Sequence, residues 1–213
     1  MKKHKTLVIV TSLLTLLPLF AGLLLWNQLP DRIATHFGFD GTPNGWSGKG
    51  FTVFGLPAIL IGCHLFCAFI TAIDPKGKNI SDRAYCCILW IVPAASLFCG
   101  YGIYSNALEW PGIISIDRGG HLFVGVLLLI LGNYLPKSGQ NYTVGIKLPW
   151  TLASEENWNK THRLSGWVFV IGGLVSILNM FLQQHWLMAV VLVATILIPA
   201  AYSLGLYLTE KKK

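Results

Sequence analysis

The sequence predicts an all-α, polytopic membrane protein with six transmembrane helices, both termini in the cytoplasm, a small ordered outer loop and a structured cytoplasmic hairpin. Three observations predict this class: the composition, six long apolar blocks and an unequal distribution of basic residues. Of the 213 residues, 54% are hydrophobic and only 12% are charged, about half the charged fraction of soluble domains. Because the apolar residues are grouped in long blocks, an ordinary soluble domain is excluded.

The six apolar blocks are each close to the roughly 20 residues that a helix needs to cross a bilayer. A helix of this length satisfies its own backbone hydrogen bonds, as lipid requires. The first block follows a basic segment, MKKHK, which also resembles the start of a signal peptide. Its apolar core is longer than that of a signal peptide, so we expect it to be retained as a membrane anchor. The blocks cover residues 7–26, 51–73, 84–104, 119–135, 164–182 and 186–208.

The basic residues predict the orientation. Arg32, Lys49 and Arg118 fall in outer segments, so 13 of the 16 basic residues (16 minus 3) lie on the opposite side. By the positive-inside rule, the termini and the loop at residues 136–160 are cytoplasmic. The net charge of +7 therefore reflects topology, and we expect no direct nucleic-acid partner. The 13 residues are Lys2, Lys3, Lys5, Lys76, Lys78, Arg83, Lys137, Lys147, Lys160, Arg163, Lys211, Lys212 and Lys213.

The outer loop at residues 27–50 is rich in turn residues but also holds four large apolar side chains, which a flexible linker would not need. We therefore expect a small ordered cap, with Trp46 near the lipid interface. His36 and Asp40 lie inside it. His36 either bonds a turn backbone or helps to bind an extracellular ligand. Asp117, Arg118 and His121 either form an interfacial ion pair or face His36 and Asp40.

Polar groups inside the blocks are few. His64 lies near the middle of the second block, where we expect it to face the helix bundle and bond a backbone carbonyl. A proton-relay role is the alternative, but no intramembrane carboxylate accompanies it. The five cysteines, at positions 63, 67, 86, 87 and 99, lie in the second and third blocks, where thiols behave as small apolar groups. We predict no metal site and no cofactor.

The polar interval at residues 132–167 predicts a structured hairpin rather than a tether. Pro149 restricts Leu148 to an extended conformation. Ser154 is a candidate N-cap, with two glutamates in the first turn of the helix that follows. On that helix, Trp158, His162 and Arg163 fall on adjacent ridges.

We expect the tryptophans of this hairpin, Trp150 and Trp158, to pack against the ends of the fourth and fifth transmembrane helices, near Asn133 and His162. Asn133 is expected to face the bundle.

Two segments resemble a known family. The interval GNYLPKSGQNYTVGIKLPWTLASEENWNKTHRLSGW resembles the signature of the SdpI family of bacterial immunity membrane proteins. Lys147 stands where that pattern usually has arginine, and Leu148 where it usually has threonine. The outer loop resembles a short domain of unknown function that often precedes this signature. The motif residues are Gly132, Asn133, Asn141, Gly145, Ile146, Lys147, Pro149, Trp150, Thr151, Leu152, Trp158, Thr161, His162 and Arg163, and the outer-loop residues are Pro30, His36, Phe37, Asp40 and Gly41.

The resemblance implies a multi-pass protein of the bacterial plasma membrane that protects the cell against a secreted, membrane-active peptide toxin. It also implies a possible cytoplasmic regulator as partner, beside the lipid bilayer itself. We expect an N-terminal helical hairpin over residues 1–73, with the ordered loop at 27–50. A four-helix SdpI-like region follows over residues 84–208.

Two other functions stay open at this point. A small transporter or channel would need polar or charged groups within the helices, and a membrane-embedded enzyme would need a nucleophile–base pair or a metal motif. The sequence contains no acidic residue inside the blocks and no HExxH or HxE pattern, so we expect a binding protein without enzymatic activity.

Overall fold

The computed structural model describes residues 4–111 and 114–211. Lys2, Lys3, Lys212 and Lys213, which contributed to the predicted orientation, lie outside these residues. The helices in chain order are α1 (Lys5–Thr15), α2 (Leu17–Leu24), α3 (Leu56–Ala72), α4 (Asp82–Ala107), α5 (Ile116–Tyr134), α6 (Pro149–Ala153), α7 (Glu155–Leu182) and α8 (His185–Glu210), with strands β1 (Arg32–Phe37) and β2 (Pro43–Gly48) between α2 and α3.

Among the described residues, six helical segments are long and apolar enough to cross a membrane, which confirms the predicted polytopic helical class. Each predicted block lies within one segment or overlaps most of it. The segments are Lys5–Leu24, Phe51–Ala72, Asp82–Ala107, Ile116–Lys137, Glu155–Leu182 and His185–Glu210.

The first segment is interrupted, because α1 ends at Thr15 and α2 begins at Leu17. Pro18 occupies the first turn of α2, where the missing N–H of proline costs no helical hydrogen bond. The second segment opens with a π-helical turn, Phe51–Gly55, before α3.

The order predicted for the outer loop takes the form of an antiparallel β-hairpin, which adds two strands to the helical architecture. We call residues 32–48 the outer hairpin. Ile33 pairs with Ser47, and Ala34 with Trp46. The register then shifts so that His36 pairs with Gly45, leaving Thr35 as a bulge. Of the turn residues that suggested a loop, Asp40 and Gly41 lie in the connection of the hairpin, whereas those from Pro43 to Gly48 form strand β2.

The chain divides into two compact units. The first contains residues 1–70 and 86–119. Its core consists of buried apolar residues that include Ile33 of the outer hairpin, Val53 and Tyr104. The Tyr104 hydroxyl donates to the Pro18 carbonyl at 2.9 Å, so α4 is bonded to α2.

His64 lies in this unit and is 1% exposed. It faces other helices, as predicted. Its Nε2 lies 3.0 Å from Thr11 Oγ1, and the Thr11 hydroxyl lies 2.8 Å from the Leu7 carbonyl. The partner of this ring nitrogen is thus the Thr11 hydroxyl on α1. Carbonyl groups in the preceding turn of α1 lie within hydrogen-bond distance of the same hydroxyl.

The second unit contains residues 71–85 and 120–213. In it α5 and α7 approach at two glycine pairs, Gly125 with Gly173 and Gly132 with Gly166. A Cβ on Gly125 would lie 2.8 Å from the Gly173 carbonyl, and one on Gly132 would lie 2.8 Å from the Gly166 carbonyl. Such distances leave no room for a side chain, and small residues allow this approach between membrane helices. The seven-residue spacing within each helix keeps both pairs on one face.

Candidate functional site

The buried contacts of the polar interval are made by the motif loop, residues 138–148, and by the start of α7. Trp158 is completely buried, and its Nε1 donates to the Ser138 carbonyl at 2.9 Å. The His162 ring stacks on it, with centroids 4.0 Å apart and an interplanar angle of 20°. One helical turn separates the two residues, so the predicted shared face of α7 is present.

The His162 ring is held at both nitrogens. The Ile146 N–H donates to Nε2 at 3.0 Å, so Nε2 is an acceptor. Nδ1 lies 2.8 Å from the Trp158 carbonyl and must be the donor. The hydrogen bonds therefore select the neutral ring with its proton on Nδ1.

Gly145 has a backbone φ of +126°, a value that residues with a side chain rarely adopt. A Cβ there would lie 2.3 Å from His162 Nε2 and 2.9 Å from Trp158 Cη2. Both the conformation and the space therefore require glycine at this position.

Asn141 is fully buried and closes the motif loop on itself. Its Oδ1 accepts from the N–H groups of Thr143 and Val144, at 3.0 and 2.6 Å. Its Nδ2 donates to the carbonyls of Gly139 and Val144, at 2.9 and 3.0 Å. A side chain that both donates and accepts is needed at this position, and asparagine supplies both functions on a short stem.

Thr151 connects the motif loop to α6. Its hydroxyl accepts from the Leu148 N–H at 2.9 Å and lies 2.8 Å from the Ile146 carbonyl. Leu148 is extended, with φ −105° and ψ 152°, as the following Pro149 predicts. Ser154 then caps α7 by accepting from the Asn157 N–H at 3.1 Å, which confirms the predicted helix start.

Trp150 corrects the prediction that both tryptophans pack against the fourth and fifth transmembrane helices. Its indole N–H donates to the Ser203 hydroxyl, and its ring stacks on Tyr207 with centroids 5.8 Å apart. Both partners belong to α8, the sixth span. The short helix α6 directs the Trp150 ring toward α8, and no local sequence pattern indicates this direction.

The outer hairpin presents a different arrangement, in which side chains are exposed. His36 is exposed, and its Nδ1 donates to Asn44 Oδ1 at 2.5 Å rather than to a turn backbone. Asp40 Oδ1 accepts from the N–H and the hydroxyl of Thr42, at 3.0 and 2.7 Å. Phe37 is partly buried against the core of the first unit.

The hairpin tip turns at Gly41, with φ +76°, and a Cβ there would lie 3.2 Å from the backbone nitrogen of Asp117. The tip of the hairpin therefore approaches Asp117 through the backbone at Gly41, and the roles of Asp117, Arg118 and His121 stay predictions.

The base of the outer hairpin is fixed by Lys49. Its Nζ donates to the Leu29 carbonyl at 2.8 Å and lies 5.2 Å from the centroid of the Trp26 ring. By contrast, two aromatic side chains of the hairpin, Phe39 and Trp46, are 49% and 53% exposed. The base of the hairpin is thus fixed by Lys49, while the aromatic rings of Phe39 and Trp46 are exposed.

Comparisons with known proteins match the motif region and the outer hairpin with separate family models. Residues 137–203 match the SdpI/YfhL protein family, and residues 13–61 match a domain of unknown function, DUF1648. The resemblance to the SdpI family is confirmed. Immunity protein SdpI of Bacillus subtilis (strain 168) is 25% identical over 225 residues, an alignment that covers 100% of this chain and 98% of that protein. No solved structure matches the chain.

Two residues of the SdpI motif do not lie where the sequence predicted. Asn133 is exposed and accepts from Lys137 Nζ at 2.9 Å, instead of facing the bundle. The reason is that the preceding Gly132 faces α7, and one residue turns a helix by about 100°. Arg163 is exposed for the same reason, since it follows the buried His162.

Lys147, at the position where the SdpI pattern usually has arginine, is also exposed. Its Nζ donates to the Thr143 carbonyl of its own loop at 3.0 Å. Lysine makes one point contact there, whereas arginine could donate in a bidentate fashion.

Thr161 belongs to a buried polar row on α7 that the sequence interpretation only partly identified. Its hydroxyl donates to Asn157 Oδ1 at 3.0 Å, and Asn157 Nδ2 donates to the Ser203 carbonyl of α8 at 3.0 Å. Residues 157, 161 and 165 recur every four positions and are all buried. This period was the signal by which Asn157 could have been recognised.

Among the described residues, no group of three or more histidine, cysteine, aspartate or glutamate side chains could hold a metal ion. All five cysteines are free thiols. The features that distinguish the two regions are the buried hydrogen bonds of the SdpI segment and the exposed aromatic rings of the outer hairpin.

Proposed function

We propose that this chain is a membrane immunity protein, which protects a bacterium against a secreted, membrane-active peptide toxin. The observation that carries the proposal is the end-to-end similarity to Immunity protein SdpI of Bacillus subtilis. Both segments that match family models lie within that alignment, and six apolar helices place the chain in a membrane.

The outer hairpin is the part that we propose to meet the toxin. Phe39 and Trp46 supply exposed aromatic area, and the paired side chains of His36 and Asn44 supply polar groups beside it. Aromatic rings of this kind dominate the binding energy of many interfaces. A membrane-active peptide is amphipathic, so a surface that offers both rings and hydrogen-bonding groups is suited to it.

The motif loop has a supporting role in this proposal. Asn141, Thr151, Trp158 and His162 are almost completely buried and bonded within the chain, so they are not available to a ligand. They maintain the shape of the second unit. The exposed motif residues Lys147 and Arg163 remain available, and we propose that a cytoplasmic regulator contacts the chain there.

A survival assay tests the function. The chain is expressed in Bacillus subtilis cells that lack Immunity protein SdpI. These cells are then exposed to the toxin against which Immunity protein SdpI acts. We expect survival well above that of cells with an empty vector, at a membrane level verified by immunoblotting. Survival equal to the empty vector, with the chain present in the membrane, would reject the proposal. Mass spectrometry of the toxin separates binding from enzymatic action, since a binding protein leaves the peptide intact.

The role of the outer hairpin is tested in the same cells with Phe39→Ala and Trp46→Ala. We expect lower survival at an unchanged membrane level. Trp167→Ala is the matched control, because Trp167 is an exposed tryptophan on α7, outside the hairpin. Equal survival in the Trp46 and Trp167 variants would exclude the hairpin as the toxin-contacting surface.

A further inference from the structure

The short segment between α3 and α4, residues 73–81, bonds directly to the motif loop. It lies outside both segments that match family models, which cover residues 13–61 and 137–203. We propose that Asp74 is a positioning residue, whose carboxylate holds the motif loop in the conformation that protection requires. The link to protection rests on the proposed function, whereas the positioning itself can be tested without it.

The Asp74 carboxylate is occupied at both oxygens. Oδ2 accepts from the Tyr142 N–H at 2.9 Å and from the Thr143 hydroxyl at 2.7 Å. Oδ1 accepts from the Lys76 N–H at 2.8 Å, which turns its own loop toward the motif. Hydrogen bonds to an ionised acceptor are shorter and stronger than neutral ones. One side chain thus joins two loops that are 68 residues apart along the chain.

A second contact lies beside the first. Lys76 Nζ donates to Gln140 Oε1 at 2.5 Å, and it lies 5.4 Å from the centroid of the Tyr142 ring. The ammonium group therefore contacts the motif loop on both sides of Asn141. Its position follows from Asp74, because the same aspartate orients the backbone of Lys76.

The far end of the segment is bonded as well. Asn79 Nδ2 donates to the Gln140 carbonyl at 2.7 Å, and the Gly139 N–H donates to the Asn79 carbonyl at 3.1 Å. Gln140 Nε2 then donates to the carbonyls of Thr151 and Leu152, both at 3.0 Å. The segment is consequently connected through Gln140 to the end of α6.

Asp74 is the residue on which this arrangement depends most. Asn141 fixes the beginning of the motif loop from inside, and the Ile146 N–H is bonded to His162, whereas Tyr142 between them is 49% exposed. The Asp74 carboxylate accepts from the backbone of Tyr142 and from the side chain of Thr143, so it holds this exposed position from the neighbouring loop. Loss of its charge should therefore increase local opening of the loop without unfolding the helices.

Limited proteolysis of the purified full-length chain in lipid nanodiscs measures this opening. Trypsin cleavage after Lys147 follows the population of the open loop when opening is fast. For Asp74→Asn we expect cleavage about tenfold faster, the effect of losing about one charge-assisted hydrogen bond. Lys78→Gln is the matched control, because Lys78 is an exposed residue of the same segment. We expect it to leave the rate unchanged.

A second pair of variants tests the bond from its other end. Thr143→Ala removes the hydroxyl that donates to Asp74, and Thr143→Ser retains it. We expect faster cleavage in the alanine variant and recovery in the serine variant. The double variant Asp74→Asn, Thr143→Ala should cleave about as fast as Asp74→Asn alone, since the bond that Thr143→Ala removes is one of those that Asp74→Asn already weakens.

The inference is overturned if Asp74→Asn and Lys78→Gln cleave at the same rate, or if the effects of Asp74→Asn and Thr143→Ala multiply. If the Asp74→Asn variant does not accumulate, the cleavage rates of Thr143→Ala and Thr143→Ser test the role of Asp74 instead. In the survival assay we expect Asp74→Asn to reduce protection and Lys78→Gln to retain it. A parent chain that gives no protection would reject the proposed function, while the proteolysis would still decide the role of Asp74.

Discussion

Gly145→Ala is the substitution that tests the geometry of the motif most directly. The added methyl group would lie 2.3 Å from His162 Nε2 and 2.9 Å from Trp158 Cη2, well inside van der Waals contact. These neighbours are ring atoms in a stacked, buried pair, so they cannot move aside independently. The backbone φ of +126° adds strain for any residue with a side chain.

The magnitude follows from these two terms. An unfavourable backbone conformation costs about 1–3 kcal/mol, and overpacking in a well-packed core costs about 1–3 kcal/mol more. Moving His162 would also break its bond from the Ile146 N–H. We therefore expect the free energy of unfolding to fall by roughly 2–6 kcal/mol, which corresponds to a Tm lower by roughly 4–24 °C for a chain of this size.

Thermal unfolding of the detergent-solubilised chain, followed by intrinsic tryptophan fluorescence, measures this shift, because Trp150 and Trp158 lie in the same unit as Gly145. Gly205→Ala is the matched control, because a Cβ at Gly205 meets nothing within 4 Å and the residue lies in a regular helix. We expect its Tm to be unchanged or slightly raised. A Tm for Gly145→Ala equal to that of Gly205→Ala would refute the described packing of the motif loop.

Three further outcomes are expected. Trp158→Ala should destabilise the chain by about 3–5 kcal/mol, because it leaves a cavity at a fully buried aromatic site. Glu156→Ala should leave the stability unchanged, because Glu156 is exposed, and thermal unfolding compares the two variants. His64→Asn should keep membrane level and protection, because asparagine can still bond the Thr11 hydroxyl; loss of protection at a normal level would indicate a proton or ligand role. In intact cells carrying single cysteines, an impermeant thiol reagent should label Ser47→Cys and not Ser154→Cys, and the reverse pattern would invert the predicted topology.

Local chemistry made several features of this chain predictable. The restriction that proline places on the preceding residue correctly predicted the extended Leu148, and the N-cap preference correctly predicted Ser154. The i, i+4 spacing predicted that Trp158 and His162 share a face, and these two rings do stack. Each of these predictions depends on residues within about one helical turn of each other.

Contacts between distant segments were not predictable in the same way. Asp74 was not selected because a single aspartate in a short polar loop has no pattern of its own, and its partners Tyr142 and Thr143 lie far along the chain. Trp150 was assigned to the wrong helices because the direction of α6 depends on packing against α8. Asn133 was placed on the wrong face since its neighbour Gly132, rather than Asn133 itself, forms the close contact.

The sequence by itself determined the class of the protein and its resemblance to the SdpI family. Apolar blocks of sufficient length can only be helices in lipid, because each helix satisfies its backbone within the segment. Motif residues at fixed spacing carried the family resemblance. The tertiary structure alone decided which motif residues hold the fold and which are exposed, and that the outer loop is a hairpin with Phe39 and Trp46 presented outward. The physical reason is that burial and hydrogen-bond partners depend on which distant segments meet, and a one-residue rotation of a helix by about 100° changes the answer.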